Sequence, residues 1–182
     1  CRVVSVLGQG GIGKSALAVH LMHQVASHFE VVIWRSLRDA PSCEAVLDQC
    51  LQVLALQPLG FIPTSLEQRL DLLLEYLRSQ RVLVVLDNLE MVLEEKVDTG
   101  RMRAGYEGYG HLLCRVAETE HQSCLLLTSR EKPIDLVPHE SSRGPVRALR
   151  LAQLDTDSCR QLLAEKDVTG TATEQTRLIE AY

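Results

Sequence analysis

GQGGIGKS, residues 8–15, lies between an apolar run and an amphipathic one, and its reading decides the fold. Gly8, Gly10 and Gly13 satisfy the G-x-G-x-x-G turn of dinucleotide-binding domains, while Gly8, Gly13, Lys14 and Ser15 satisfy the G-x-x-x-x-G-K-[ST] loop that cradles a polyphosphate. Both need a strand before the turn and a helix after it. Residues 2–7 are β-branched and apolar and stop at a glycine, as a buried strand entering a tight turn does. Leu17, Leu21 and Val25, with Ala18 and Met22 beside them, then recur at helical spacing.

The alternation continues outward from there. Residues 31–34 read as a short second strand, and Pro41-Ser42 starts a helix carrying Ala45, Val46, Cys50 and Val53. Residues 58–63 read as a loop. A third helix opens at Ser65, where Ser65 and Gln68 have capping-box spacing and Leu66, Leu70, Leu73, Leu74 and Leu77 make the apolar face. Residues 81–87 are apolar up to a terminal carboxylate, the pattern of a parallel strand covered on both faces. Residues 94–105 read as a mobile polar loop and 106–118 as a helix. A fourth buried strand, 123–128, ends in Ser129 and Arg130. Residues 133–145 read as a long loop, 146–151 as a fifth strand, and 155–166 and 173–182 as closing helices. The order predicts an α/β fold, three-layer αβα with a mainly parallel five-stranded sheet. Residues 1–182 are expected to form one domain, with the helices of 155–182 beginning a following helical region.

Composition narrows the function classes. A chain of 182 residues buries roughly 70% of its unfolded surface, enough for a real core. The net charge is −5 and the basic residues are dispersed, so there is no positive stripe to neutralise nucleic-acid phosphates, and no nucleic-acid partner is expected. No apolar run approaches the roughly 20 residues that span a bilayer, and Cys1-Arg2-Val3-Val4 lacks the layout of a signal peptide. A cytoplasmic protein without membrane attachment is expected. Six cysteines without a C-x-x-C are expected to be reduced, mostly buried thiols. His20 and His23 lie three apart but have no third ligand nearby, which makes a poor metal site.

The ligand of the glycine turn follows from what surrounds it. A dinucleotide site wants an acidic residue about 20 positions past the glycines to hold a ribose; that place carries Trp34-Arg35-Ser36, with Asp39 already beyond the strand. The phosphate-loop reading explains more residues. The glycines at 8, 10, 11 and 13 let successive backbone N–H groups point inward, and the helix terminus behind them adds partial positive charge. The binding stretch is then Gly8, Gln9, Gly10, Gly11, Ile12, Gly13, Lys14, Ser15 and Ala16. Lys14 reaches the β- and γ-phosphates, and the Ser15 hydroxyl ligates Mg²⁺ with outer-shell support from Asp87 at the end of its apolar strand. A GTPase is disfavoured: Asn88-Leu89-Glu90 follows Asp87 without glycine, and Glu95-Lys96-Val97-Asp98 puts a carboxylate where a guanine-reading amide belongs.

A distinct strand between the phosphate loop and the Asp87 strand, with a further strand ending in Thr128-Ser129-Arg130, suggests the additional-strand class of ATPases. Residues 3–18, 29–35, 82–88 and 125–130, taken in order, resemble the NB-ARC branch of the STAND signalling NTPases, the switch modules of apoptosome proteins, plant resistance proteins and many bacterial multidomain regulators. The resemblance spans about residues 2–165. It implies ATP or ADP bound with Mg²⁺, slow hydrolysis, and a nucleotide state coupled to homo-oligomerisation and to flanking sensor and effector domains. It also makes Arg130 the arginine that senses the γ-phosphate, with Thr128-Ser129 shaping its loop; the bland alternative is a surface ion pair. Lys14, Asp87, Asn88 and Arg130 are thus the candidate catalytic set.

Two departures from that family stand out. Many relatives carry a second acid after the magnesium acid; here the position is Asn88, whose amide orients water but cannot accept its proton, so very slow hydrolysis is expected. Glu90, two residues on, is a possible substitute base or a solvated helix-start residue. The chain also begins at Cys1 and stops at Tyr182 without the flanking segments with which relatives hold the nucleotide, which suggests the core of a larger switch and weaker affinity than in the whole. Two other function classes stay open. One is a phosphotransferase with a small acceptor, for which Arg101 and Arg103 are the only close arginine pair in a suitable loop. The other is an interaction module that retains the fold without using nucleotide.

Overall fold

The computed structural model describes residues 1–55, 63–95, 99–141, 143–153, 155–168 and 170–181. The chain divides into two compact units, Cys1–Leu151 and Ala152–Tyr182. The first holds strands β1 (Val3–Leu7), β2 (Val31–Ser36), β3 (Val82–Asp87), β4 (Cys124–Ser129) and β5 (Val146–Arg150), with helices α1 (Lys14–Val25), α2 (Cys43–Leu54), α3 (Leu66–Ser79) and α4 (Glu107–Glu118). The second holds α5 (Thr156–Glu165) and α6 (Ala172–Ala181). Asp155 caps α5 by accepting the Ser158 N–H at 2.7 Å.

Every pair of neighbouring strands is parallel, and their order is β2-β3-β4-β1-β5. β4 is thus inserted between β1, which feeds the glycine turn, and β3, which ends in Asp87. All six residues of β3 are buried, as its unbroken apolar run requires of a central strand, whereas the edge strands β2 and β5 are buried far less completely. The period of two divides the core. Val84 and Leu86 join the cluster under α2, α3 and α4; Leu83 and Val85 join the cluster that contains Ala18 of α1. Ser42 and Ser65 cap α2 and α3, accepting the N–H groups of Ala45 and Gln68. Burial pushes the Cys43 and Cys50 thiols up to about 12 and about 11, as inert core residues. All six cysteines are free.

Two loop expectations need correction. The stretch 94–105 is not simply mobile: Leu93 bridges Met102, the Glu94 N–H donates to Arg101 O at 2.9 Å, the Arg103 N–H to Val92 O at 2.9 Å, and Gly100 O accepts from Ile134 at 2.8 Å. Main-chain bonds, invisible to a reading of side-chain polarity, pin its described ends. Within 133–145 a 3-10 helix runs Ile134–His139, anchored by buried Leu136. The stretch 58–63, apart from Pro63, and Lys96-Val97-Asp98 lie outside the described residues.

Helix α4 carries two glycines for a tertiary reason. A Cβ at Gly108 would lie 2.9 Å from the Cys43 Cβ, and one at Gly110 would lie 2.9 Å from an Asp135 carboxylate oxygen. Ala normally exceeds Gly in a helix interior by about 1 kcal/mol. Gly108→Ala is nonetheless expected to destabilise by about 1–3 kcal/mol, because α2 approaches too closely for an added methyl. Urea unfolding measures this, and a more stable variant would show that the two helices separate at little cost.

Candidate phosphate-binding site

The carboxyl ends of β1, β3 and β4 meet at one rim of the sheet. Leu7 pairs with Ser129 and Leu86 with Leu127, so the glycine turn, Asp87 and Thr128-Ser129-Arg130 come together although about 120 residues separate the first from the last. This is where ligands collect on open parallel sheets. The Gly8 N–H donates to Ser129 O at 3.2 Å and ties the turn to β4. Gly11 and Gly13 have φ of 80° and 97°, and nothing lies within 4 Å of a Cβ built on either, so the backbone conformation itself demands glycine there. Gly13 is the N-cap of α1 and gives no side-chain cap, and the first turn has no acid. The free N–H groups of that terminus are left for an anion.

Lys14, 6% exposed, folds back across the turn, its Nζ donating to Gly8 O and Gln9 O at 2.9 Å each. An ammonium has three donors, so one remains. Gln9 O also accepts from the Ile12 N–H at 3.5 Å, and Ala16 follows Ser15 in the first turn of α1. The Ser15 hydroxyl donates to Asp87 Oδ1 at 2.7 Å. Asp87, also 6% exposed, accepts a second bond on the same oxygen from the Thr128 hydroxyl at 2.6 Å.

Thr128 is a hub that sequence reasoning gave only a loop-shaping role. Besides donating to Asp87, its Oγ1 accepts the Asn88 N–H at 3.0 Å. Asn88 sits at φ 66°, a left-handed conformation that Asn tolerates better than most residues. The Oδ1 of Asn88 and the Oε2 of Glu90 are buried without a hydrogen-bond partner. Two orphaned acceptors within three residues of Asp87 along the chain are what a site built around an ion with its water shell leaves behind. With the glycine cradle, Lys14 and the Ser15–Asp87 pair, the residues present fit a magnesium-bound polyphosphate.

Arg130 is 64% exposed, with its Nε 3.5 Å from Glu90 Oε1. Its guanidinium also lies against the phosphate loop: a Cβ on Gly10 would stand 3.2 Å from Nη2. The ion pair is therefore present, and it sits at the loop. Arg103 stacks over Tyr106, 4.6 Å from the ring centre, and lines a cavity of about 340 Å³ together with Glu90, Glu131 and Arg130.

A five-stranded parallel sheet with β4 inserted between a glycine-turn strand and an acid-tipped strand is the P-loop NTPase fold in its additional-strand form. The chain belongs to the NB-ARC domain family, whose model matches residues 1–173. It is 41% identical over 187 residues to an uncharacterized WD repeat-containing protein of Nostoc sp., a match that covers 98% of this chain and 15% of that protein. The chain therefore spans a small part of that relative's length. Among solved structures it resembles a STAND protein with a tetratricopeptide repeat sensor from Pyrococcus horikoshii, with TM-score 0.66 and 17% identity over 98% of this chain and 25% of that one. It also resembles AMPPCP-bound DnaA from Aquifex aeolicus, with TM-score 0.55 and 16% identity over 100% of this chain and 51% of that one. At these identities the likeness is one of fold.

Proposed function

We propose that this chain is the nucleotide-operated switch of a multidomain regulator. It binds ATP or ADP with Mg²⁺ and hydrolyses ATP slowly, and its nucleotide state controls self-association and the activation of attached domains. The observation that carries the reading is the Ser15–Asp87 hydroxyl–carboxylate pair at 2.7 Å beside a left-handed glycine turn and a buried lysine. Membership of the NB-ARC family and the AMPPCP on the structurally similar DnaA support adenine nucleotide as the ligand.

The turn of Gly8–Ala16 holds the phosphates through backbone N–H groups, and Lys14 turns its ammonium from the loop carbonyls toward the β- and γ-phosphate oxygens. Ser15 and Asp87 hold the magnesium ion, which when bound neutralises charge on those oxygens. Thr128 keeps the Asp87 carboxylate aimed at Ser15. Asn88 orients water but leaves its proton in place, which keeps turnover slow. Arg130 contacts the γ-phosphate and so distinguishes ATP from ADP. The WD repeats of the Nostoc relative and the tetratricopeptide sensor of the Pyrococcus protein point to repeat domains attached to this module. The free thiols suit a reducing cytoplasm, and no helix among the described residues is long and apolar enough to cross a membrane.

Thermal unfolding with ATP, ADP or GTP, each with Mg²⁺ or with EDTA, tests the reading. At a hundred times its dissociation constant a nucleotide adds about 2.7 kcal/mol of stability. ATP and ADP with Mg²⁺ are expected to do so, with a smaller gain in EDTA and from GTP. No stabilisation by any nucleotide would leave an interaction module. Phosphate transfer to an added small acceptor in place of water would make the protein a phosphotransferase.

A further inference from the structure

The Glu90–Arg130 pair has an asymmetry that the proposed function does not use. Arg130 is mostly in solvent, but the Glu90 side chain is only 13% exposed, and its second oxygen is buried without a partner. Among the described residues Arg130 is the cation paired with this carboxylate, and removing the partner of a largely buried charge costs far more than breaking an exposed pair. The guanidinium of that cation also lies close to the middle of the phosphate loop, in the space a side chain at Gly10 would need. Arg130 thus lies between two anionic claimants, the fixed carboxylate of Glu90 and the terminal phosphate that the loop would present. Both side chains line the cavity of about 340 Å³, so Arg130 has space to move without displacing packed groups.

We propose that Glu90 is a positioning residue that holds Arg130 in its resting place and competes with the γ-phosphate for it, thereby setting how strongly the protein prefers ATP to ADP. The inference rests on the reading of Arg130 as the group that meets the γ-phosphate. ATP gains the Arg130 contact only by breaking the Glu90 pair and leaving that carboxylate to water entering the cavity, so part of the gain is offset. ADP has no γ-phosphate and leaves the pair intact. A ligand shifts such an equilibrium only by its differential affinity for the two arrangements, and the Glu90 pair fixes that difference. Glu90 is then neither the substitute base nor the solvated helix-start residue that its place in the sequence suggests.

Calorimetric titration of a non-hydrolysable ATP analogue and of ADP, each with Mg²⁺, into the chain and its Glu90→Gln, Arg130→Ala and doubly substituted forms tests this. Gln preserves the shape and removes the charge. Glu90→Gln is expected to bind the triphosphate about three- to fivefold more tightly, the scale of a partly exposed ion pair, with ADP affinity unchanged. Arg130→Ala is expected to weaken the triphosphate alone. With Arg130 absent, Glu90→Gln is expected to add nothing, because Glu90 acts through Arg130.

Equal gains for both nucleotides, or no gain, would overturn the role of Glu90 while leaving that of Arg130 standing. A gain that persists without Arg130 would show direct repulsion between the carboxylate and the phosphate, and would also overturn it. An unchanged triphosphate-to-diphosphate ratio in Arg130→Ala would overturn the γ-phosphate role of Arg130 and this proposal with it. Failure of the unsubstituted chain to bind either nucleotide would overturn the nucleotide reading itself.

Discussion

Lys14→Ala is expected to lower the affinity for ATP and ADP by about a hundredfold, the equivalent of roughly 2.7 kcal/mol. Hydrogen bonds between ionised groups contribute about 1.5–3 kcal/mol each, and the ammonium of Lys14 is the only side-chain charge inside the glycine turn. Lys14 also has a second role, within the turn itself. By donating to Gly8 O and Gln9 O at 2.9 Å, Lys14 ties the two ends of its own loop together. Truncation therefore removes a contact with the ligand and also part of the ordering that would otherwise be in place at binding. Isothermal titration with Mg-ADP gives the number, and circular dichroism confirms that the variant is folded. Affinity within about threefold of the parent, a difference under about 1 kcal/mol, would mean that Lys14 serves the loop alone and that no polyphosphate lies against it.

The parts of this site that the sequence makes legible are those whose chemistry is local. The glycines of 8–13, Lys14 and Ser15 carry their meaning in one stretch, and Asp87 is marked by the contrast between its charge and the five apolar residues before it. The strand alternation likewise suffices for the sheet, because a fully buried parallel strand has no polar face to disguise it. What stays hidden is contact between distant residues. Thr128 and Asp87 are 41 positions apart, and Arg130 and Glu90 are 40. Nothing in a threonine after three leucines announces that its hydroxyl bridges a carboxylate and a backbone N–H. Gly108 and Gly110 look like weaknesses in α4 until Cys43 and Asp135 are seen to occupy the space a methyl would need. The 3-10 turn Ile134–His139 is too short for periodicity to register and is held by one buried leucine.

Asn88→Asp is expected to raise the rate of ATP hydrolysis by about a hundredfold at pH 8, the bottom of the range for a positioned general base. The position suits the exchange. Its N–H is already fixed by Thr128 Oγ1, its Oδ1 is buried and unpartnered, and Asp tolerates the left-handed backbone at φ 66° about as well as Asn. The side-chain shape is kept, while a neutral amide gives way to a carboxylate that can take a proton. The new carboxylate lies next to a buried one, and two like charges in one site push a carboxyl pKa upward, so a fraction of the variant is protonated and inactive as a base at low pH. The gain is accordingly expected to grow from pH 6 to pH 8, the opposite of what a more exposed or loosened site would give. Phosphate release under single-turnover conditions measures it, with Asn88→Ala expected to stay at the parent rate or below. If Asn88→Asp binds nucleotide normally and still turns over at the parent rate across that range, residue 88 does not face the attacking water, and the slow hydrolysis expected of this switch has another origin.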